Sequence, residues 1–355
     1  MEEKKKVPVL NIIILILVLL SLGLNGFIGY KVLFDEDEAV PVVSTESENE
    51  TEKTYTSEEM ASLIVNTMNE GYNEGYDAAK EDIKTIVERG RGVNTAIREM
   101  LKDYVFYIYE NEYIFKPINK ELPLNTLKYD KFIVNDRDLP TYTISYKDSE
   151  IESFKGIDVS KFQGDIDWEK VADDGVDFAF VRVGYRGYET AKLVEDENCK
   201  INIENALKNN IKTGVYFYTQ AISEEEAIEE ANFVIDIIKD YDINYPVAFD
   251  LEIVGEETAR TNNLTVDERV KIVKAFCDTV KEAGYTPMLY GNLATMFSMV
   301  EYEDVIEYDK WFAYYDVELY YPYELAIWQY SCTGKVDGIE GNCDLNIAFK
   351  DLSTK

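Results

Sequence analysis

Histidine is missing altogether from this chain of 355 residues. Its absence removes Ser-His triads, imidazole acid–base chemistry and His-ligated zinc together. If the chain is an enzyme, carboxylates carry the chemistry. Basic side chains are scarce too: 36 Lys and Arg stand against 69 Asp and Glu, a net charge of −33. That balance argues against nucleic-acid binding and against electrostatic docking on anionic membranes or wall polymers. It reads as a solvated acidic surface. Cysteine is limited to four residues with no C-x-x-C spacing, so metal binding by them is not expected.

What the chain does have is an ordinary apolar fraction, 46%, enough for a real core. Its length allows about two domains. Lys4-Lys5-Lys6 leads into an uncharged run from Val7 to Tyr30, longer than the roughly 20 residues that span a bilayer. Ser21-Leu22-Gly23 offers a small-residue cleavage site, but the apolar run continues past it through Phe27 and Ile28. Residues 1–34 therefore predict a cytoplasmic tip and an uncleaved signal anchor. The Lys cluster before the run and Asp35-Glu36-Asp37-Glu38 after it place the N-terminus in the cytoplasm and the bulk of the chain outside.

Residues 35–56, acidic and Ser/Thr-rich, read as a disordered tether. Over 57–102, Tyr72, Tyr76, Ala79, Ile83 and Ile86 recur at helical spacing and predict a helical stalk, broken at Gly90-Arg91-Gly92. Its apolar stripe serves either self-association or packing against the segment that follows. Residues 103–154, with turn signals at Pro117, Pro123 and Pro140, predict a small β-rich spacer with strands such as Tyr104–Tyr109 and Tyr113–Phe115.

From residue 155 the rhythm becomes strand–helix alternation. Strand-like runs fall at 156–159, 178–183, 213–218, 247–251, 287–290, 310–314 and 325–330, with amphipathic helices over 223–239 and 265–283. Continuous apolar strands interleaved with helices imply an α/β fold with a parallel sheet, either a barrel or doubly wound. The last part is β-rich with short connections, so the repeat is not a regular eightfold one. Cys332 and Cys343 bracket a Gly-rich turn and, in an exported domain, predict a hairpin-clamping disulfide.

The run Val247-Ala248-Phe249-Asp250-Leu251-Glu252 ends an apolar strand in two carboxylates spaced i,i+2. On a strand they share a face, roughly 6–7 Å apart, and paired carboxylates are what acid-catalysed glycoside cleavage needs. Asp316-Val317-Glu318 repeats the spacing but follows its strand in a Tyr-rich loop, and reads as surface. Asp158 lies on the first strand of the domain and Asp344 on the last. In a closed barrel those strands are neighbours, so the two converge with Asp250 and Glu252 in one cleft. Tyr216, Tyr290 and Trp328-Gln329 sit at other strand ends, where aromatic faces suit sugar rings.

Gly156-Ile157-Asp158-Val159-Ser160-Lys161-Phe162-Gln163-Gly164, Phe180-Val181-Arg182-Val183-Gly184-Tyr185, Gly214-Val215-Tyr216-Phe217, Asp250-Leu251-Glu252 and Trp328-Gln329-Tyr330-Ser331 follow one another in order. Over about 155–352 this series resembles the Chalaropsis-type lysozymes, glycoside hydrolase family twenty-five. The resemblance implies an irregular (β/α) TIM-like barrel that cleaves the β-1,4 bond between N-acetylmuramic acid and N-acetylglucosamine in peptidoglycan glycan strands. It implies Glu252 as the general acid and Asp250 as its helper at the anomeric side, orienting the substrate's 2-acetamido group. Asp158 and Asp344 would tune the pair, and Tyr216, Tyr290, Trp328 and Gln329 would contact sugar. No metal or cofactor is required. Phe217 stands where many relatives carry a histidine, a departure that touches a supporting contact and not the acid. A wall-binding pseudoenzyme and a hydrolase of another N-acetylglucosamine polymer are the alternatives.

Overall fold

The computed structural model describes residues 101–353 apart from 110, 111, 138, 140 and 257, together with scattered positions between 62 and 100. The chain divides into two compact units, Met1–Met100 and Leu101–Lys355. In the first, the described positions, among them Glu70 to Gly75, are helical. The apolar run 7–30, the acidic tether and the Gly90-Arg91-Gly92 break lie outside the described residues. Among the described residues no helix is long and apolar enough to cross a membrane.

The second unit opens with two antiparallel hairpins. β1 (Tyr104–Tyr109) pairs with β2 (Glu112–Pro117), and β3 (Phe132–Asn135) with β4 (Thr143–Tyr146). The remaining strands are β5 (Phe154–Val159), β6 (Phe178–Arg186), β7 (Leu193–Glu195), β8 (Lys212–Tyr218), β9 (Val247–Asp250), β10 (Pro287–Gly291), β11 (Asp309–Ala313), β12 (Ile327–Gly334) and β13 (Cys343–Ala348). Their order is β5-β13-β12-β11-β10-β9-β8-β6, and β5 pairs back onto β6, so eight strands close a barrel while β7 hangs on β6. Within the barrel all neighbours run parallel except β13, which is antiparallel to both β12 and β5, while β7 runs antiparallel to β6. The barrel is irregular, as its β-rich last third leads one to expect.

Four helices cover part of the wall: α1 (Trp168–Asp173), α2 (Cys199–Lys208), α3 (Glu224–Ile238) and α4 (Val266–Glu282). Ser223 caps α3 by accepting from Glu226 N, and Thr265 with Glu268 closes a reciprocal capping box on α4. Each such cap contributes about 1 kcal/mol. Strand parity sorts the core into two compartments. Phe178, Phe180, Ala248, Met288, Trp311 and Ile327 fill the barrel, while Phe249 turns outward onto Phe276 of α4 at 4.7 Å between ring centroids. Burying an aromatic of this size contributes roughly 1.5–3 kcal/mol. Gly156 makes room for the filling: a Cβ there would lie 2.1 Å from the Phe178 ring.

Among the described residues no long helix covers the wall from β11 to β13, and its outward residues pack against the hairpins instead. Phe132 meets Trp328 edge-on at 5.6 Å and Phe349 at 6.0 Å. Tyr142 meets Tyr330 at a tilt, with ring centroids 6.0 Å apart, and its hydroxyl donates to Tyr330 O at 2.5 Å. Residues 101–154 thus complete the core of the same compact unit.

Candidate active site

The strand C-terminal ends form one mouth of the barrel, and β13, running the other way, brings its N-terminal end there. Cross-strand register then fixes the acids. Asp158 lies directly opposite Asp344 across β5 and β13. Asp250 lies opposite Tyr218 on one side and Tyr290 on the other. Leu251 turns into the outer core, and Glu252 follows on the inner side. Asp158 and Asp250 are 7% and 5% exposed, while Glu252 and Asp344 stay partly open to solvent. That difference decides which carboxyls a substrate reaches first.

A hydrogen-bonded floor holds Asp158. Its Oδ2 accepts from Gln329 Nε2 at 2.7 Å and from Asn346 Nδ2 at 2.8 Å. Gln329 Oε1 in turn accepts from the hydroxyls of Tyr290 at 2.8 Å and Tyr315 at 2.9 Å. Asn346 Oδ1 accepts from Trp311 Nε1 at 2.7 Å. Because both oxygens of these amides are occupied, their NH2 groups point at Asp158 and the donor set is fixed. Asp250 Oδ1, by contrast, is buried and without a hydrogen-bond partner among the described residues.

Burial raises all four acids, and repulsion from neighbouring carboxylates adds to the rise of Asp158, Asp250 and Asp344. Asp158 is pushed up to about 6 by burial, against the Asn346 and Gln329 donors, with the Glu252 charge adding to the rise. Asp344 reaches about 8 through burial and the charges of Asp158 and Glu252. Asp250 is held well above the usual carboxylate range by burial and by Glu252 and Asp158, with Arg182 pulling the other way. Glu252 is raised by burial and restrained by its neighbour, the Tyr290 hydroxyl. The group titrates as a unit and shares protons. At neutral pH such a set keeps a carboxylic acid beside carboxylate, the two forms acid–base cleavage requires.

The structure brings together Asp158, Asp250, Glu252, Asp344, Tyr216, Tyr290 and Gln329. Tyr216 meets Trp311 edge-on at 5.9 Å, and burial beside Asp158 drives its hydroxyl pKa far up. Trp328 does not join them. It is fully buried on the outer face of the barrel, with Nε1 donating to Tyr314 O at 2.8 Å. Adjacent strand residues point to opposite faces, so Trp328 and Gln329 cannot both face the cleft. The expected disulfide is also corrected: all four cysteines are free, Cys343 buried and Cys332 exposed. The register places Gly334, not Cys332, opposite Cys343.

Sequence reasoning missed Asn346, Trp311, Tyr315 and Arg182. Asn346 was within reach, standing two residues after Asp344 and so on its face. Arg182 likewise follows Phe180 by two. It is pinned by Asp196, whose Oδ2 accepts from Nε at 2.8 Å and NH2 at 2.7 Å. Tyr315 comes from the loop after β11, where no periodicity reports on direction. The second Asp-x-Glu copy is at the surface as expected: Asp316 and Glu318 are both exposed.

A closed, mostly parallel barrel with proton-sharing acids at its C-terminal mouth defines a carboxylate hydrolase of the glycoside-cleaving kind. The chain belongs to the glycosyl hydrolases family 25, whose model matches residues 157–339. It is 29% identical over 209 residues to the uncharacterized protein YegX of Escherichia coli strain K12, covering 54% of this chain and 68% of that one. The autolytic lysozyme of Clostridium acetobutylicum is 24% identical over 194 residues, covering 54% of this chain and 55% of the lysozyme. Among solved structures, the modular autolysin LytC from Streptococcus pneumoniae is similar, with a TM-score of 0.51 and 28% identity. That match covers 70% of this chain and 57% of LytC.

Proposed function

We propose that this chain is a peptidoglycan hydrolase of the N-acetylmuramidase type, cleaving the β-1,4 bond between N-acetylmuramic acid and N-acetylglucosamine. The observation that carries the reading is the meeting of Asp158, Asp250, Glu252 and Asp344 at one barrel mouth, each raised by burial. Two relatives support the substrate class: the clostridial protein is an autolytic lysozyme, and LytC was solved with a synthetic peptidoglycan ligand.

Glu252 is the general acid. Burial raises its pKa, and its partly open edge lets it reach the glycosidic oxygen. Asp250 acts at the anomeric side, on the 2-acetamido group of the sugar. Its buried Oδ1 has no hydrogen-bond partner among the described residues, and Arg182 opposes the burial and the Glu252 and Asp158 charges that hold its carboxyl well up. Asp158, locked by Gln329 and Asn346, holds charge next to the pair, and Asp344 adjusts the proton count. Tyr216 and Tyr290 offer ring and hydroxyl to the sugar. Glu252→Gln removes the transferable proton at nearly constant shape, so release of reducing ends from purified peptidoglycan should stop in a chain that still folds.

The proposal extends to location. The uncharged run 7–30 anchors the chain in a membrane with the barrel outside, and the 57–102 segment is available for self-association. Both rest on the sequence pattern alone.

A further inference from the structure

The crossover between β11 and β12, residues 314–326, carries no helix. A connection of that length without secondary structure is either functional or loose unless something ties it down. Here it is tied on one flank to residues that precede the region the family model matches.

Asn125 N donates to Pro322 O at 2.9 Å and Glu324 N to Pro123 O at 3.0 Å, an antiparallel bridge of Leu124 with Tyr323. Asn125 Nδ2 donates to Tyr321 O at 3.0 Å, and the Tyr129 hydroxyl donates to Leu319 O at 3.0 Å. Arg137 pairs with Glu318 at 2.7 Å. The hydroxyls of Tyr320 and Tyr323 accept from Phe106 N at 2.8 Å and Asn119 N at 3.0 Å. These contacts run along the crossover from Glu318 to Glu324, so they fix its path and not merely one point on it.

The other flank of the same crossover enters the site. Tyr315 donates to Gln329 Oε1 at 2.9 Å, and Gln329 Nε2 donates to Asp158 Oδ2 at 2.7 Å. An amide whose oxygen is engaged by two hydroxyls cannot turn that oxygen toward the carboxylate. Loss of the Tyr315 contact removes one of those two restraints.

We propose that residues 101–146 are a working part of the catalytic unit: they latch the 314–326 crossover so that Tyr315 stays on Gln329, and through Gln329 they orient the Asp158 carboxylate. Asn125, Tyr129 and Tyr315 are positioning residues in this scheme. A cover that only shielded the outer wall would need the aromatic contacts of Phe132, Tyr142 and Tyr146, but not polar contacts strung along the crossover. The activity arm of the test rests on the muramidase reading; the structural arm does not.

The test uses the full chain with Asn125→Ala and Tyr129→Phe together, Tyr315→Phe alone, and all three combined. Hydrogen exchange should show the 314–326 amides losing protection in the latch variant while β5 to β10 keep theirs. Turnover of peptidoglycan should fall about tenfold in kcat with KM little changed, as a misplaced catalytic group predicts. Tyr315→Phe should give a similar loss. In the triple variant the losses should not multiply, because both act through one contact. Unchanged protection of 314–326, or losses that multiply, would overturn the proposal. If wild type releases no reducing ends, the muramidase reading falls and hydrogen exchange alone decides the latch. If the double variant fails to fold, Tyr129→Phe, at an exposed side chain, carries the same comparison.

Discussion

Asp344→Asn puts the proton-sharing account under direct strain. The folded chain holds the Asp344 carboxyl at about 8 against an ordinary 3.8. Between those two values the folded state binds the extra proton, so stability falls as pH rises through that window. The penalty is absent below about pH 4, grows toward pH 8 and is constant above it. At pH 7 the gap from 3.8 is about three pH units, each worth about 1.4 kcal/mol, for a ceiling of about 4 kcal/mol. Water at the open edge of the site screens part of this, leaving about 2 kcal/mol. Asparagine keeps the shape and removes the titration. In a unit of this size the variant should therefore melt about 4–8 °C above wild type at pH 7, and no less than that at pH 8. The gap should close as the buffer is taken down to pH 4. Calorimetric melts of both proteins at several pH values decide it. A variant melting at or below wild type at pH 8, or a difference that ignores pH, would mean that Asp344 is not held among the other acids.

Two further outcomes test the placement of parts. Trp328→Phe should cost about 1–3 kcal/mol of stability, read as a lower melting temperature, since it thins the seam under Phe132 and deletes the bond to Tyr314 O. It should leave KM for glycan unchanged; a large KM effect would return Trp328 to the cleft. For the anchor, cell fractionation should find the full chain in the membrane pellet, released by detergent and not by high salt, and barrel epitopes should be open to external protease. Recovery in the soluble fraction would remove that part of the proposal.

The barrel was legible because its strands are apolar on both faces and its helices announce their caps. Ser223 with Glu226 and Thr265 with Glu268 mark α3 and α4 to within a residue of their observed starts. The acids were legible by parity: Asp250 and Glu252 share a face, and closure makes β5 and β13 neighbours, which sets Asp158 against Asp344. Parity misapplied explains the error at Trp328, a neighbour of Gln329 and therefore on the opposite face. The disulfide failed for a related reason. Bracketing a turn does not fix register, and irregular pairing between Ser331 and Gly334 moves Cys332 off the partner position. Tyr315 and the latch residues were invisible because they act from loops, where direction depends on tertiary contacts and not on local period.

The central claim is that Glu252 delivers the proton that breaks the glycosidic bond. Digestion of purified peptidoglycan by wild type and Glu252→Gln, with products resolved by mass and by reducing-end chemistry, tests it most directly. Wild type should release fragments ending in reducing N-acetylmuramic acid, and the variant, with the same melting temperature to within a few degrees, should fall by at least about a hundredfold. A variant that keeps wild-type turnover, or fragments ending in reducing N-acetylglucosamine, would contradict it.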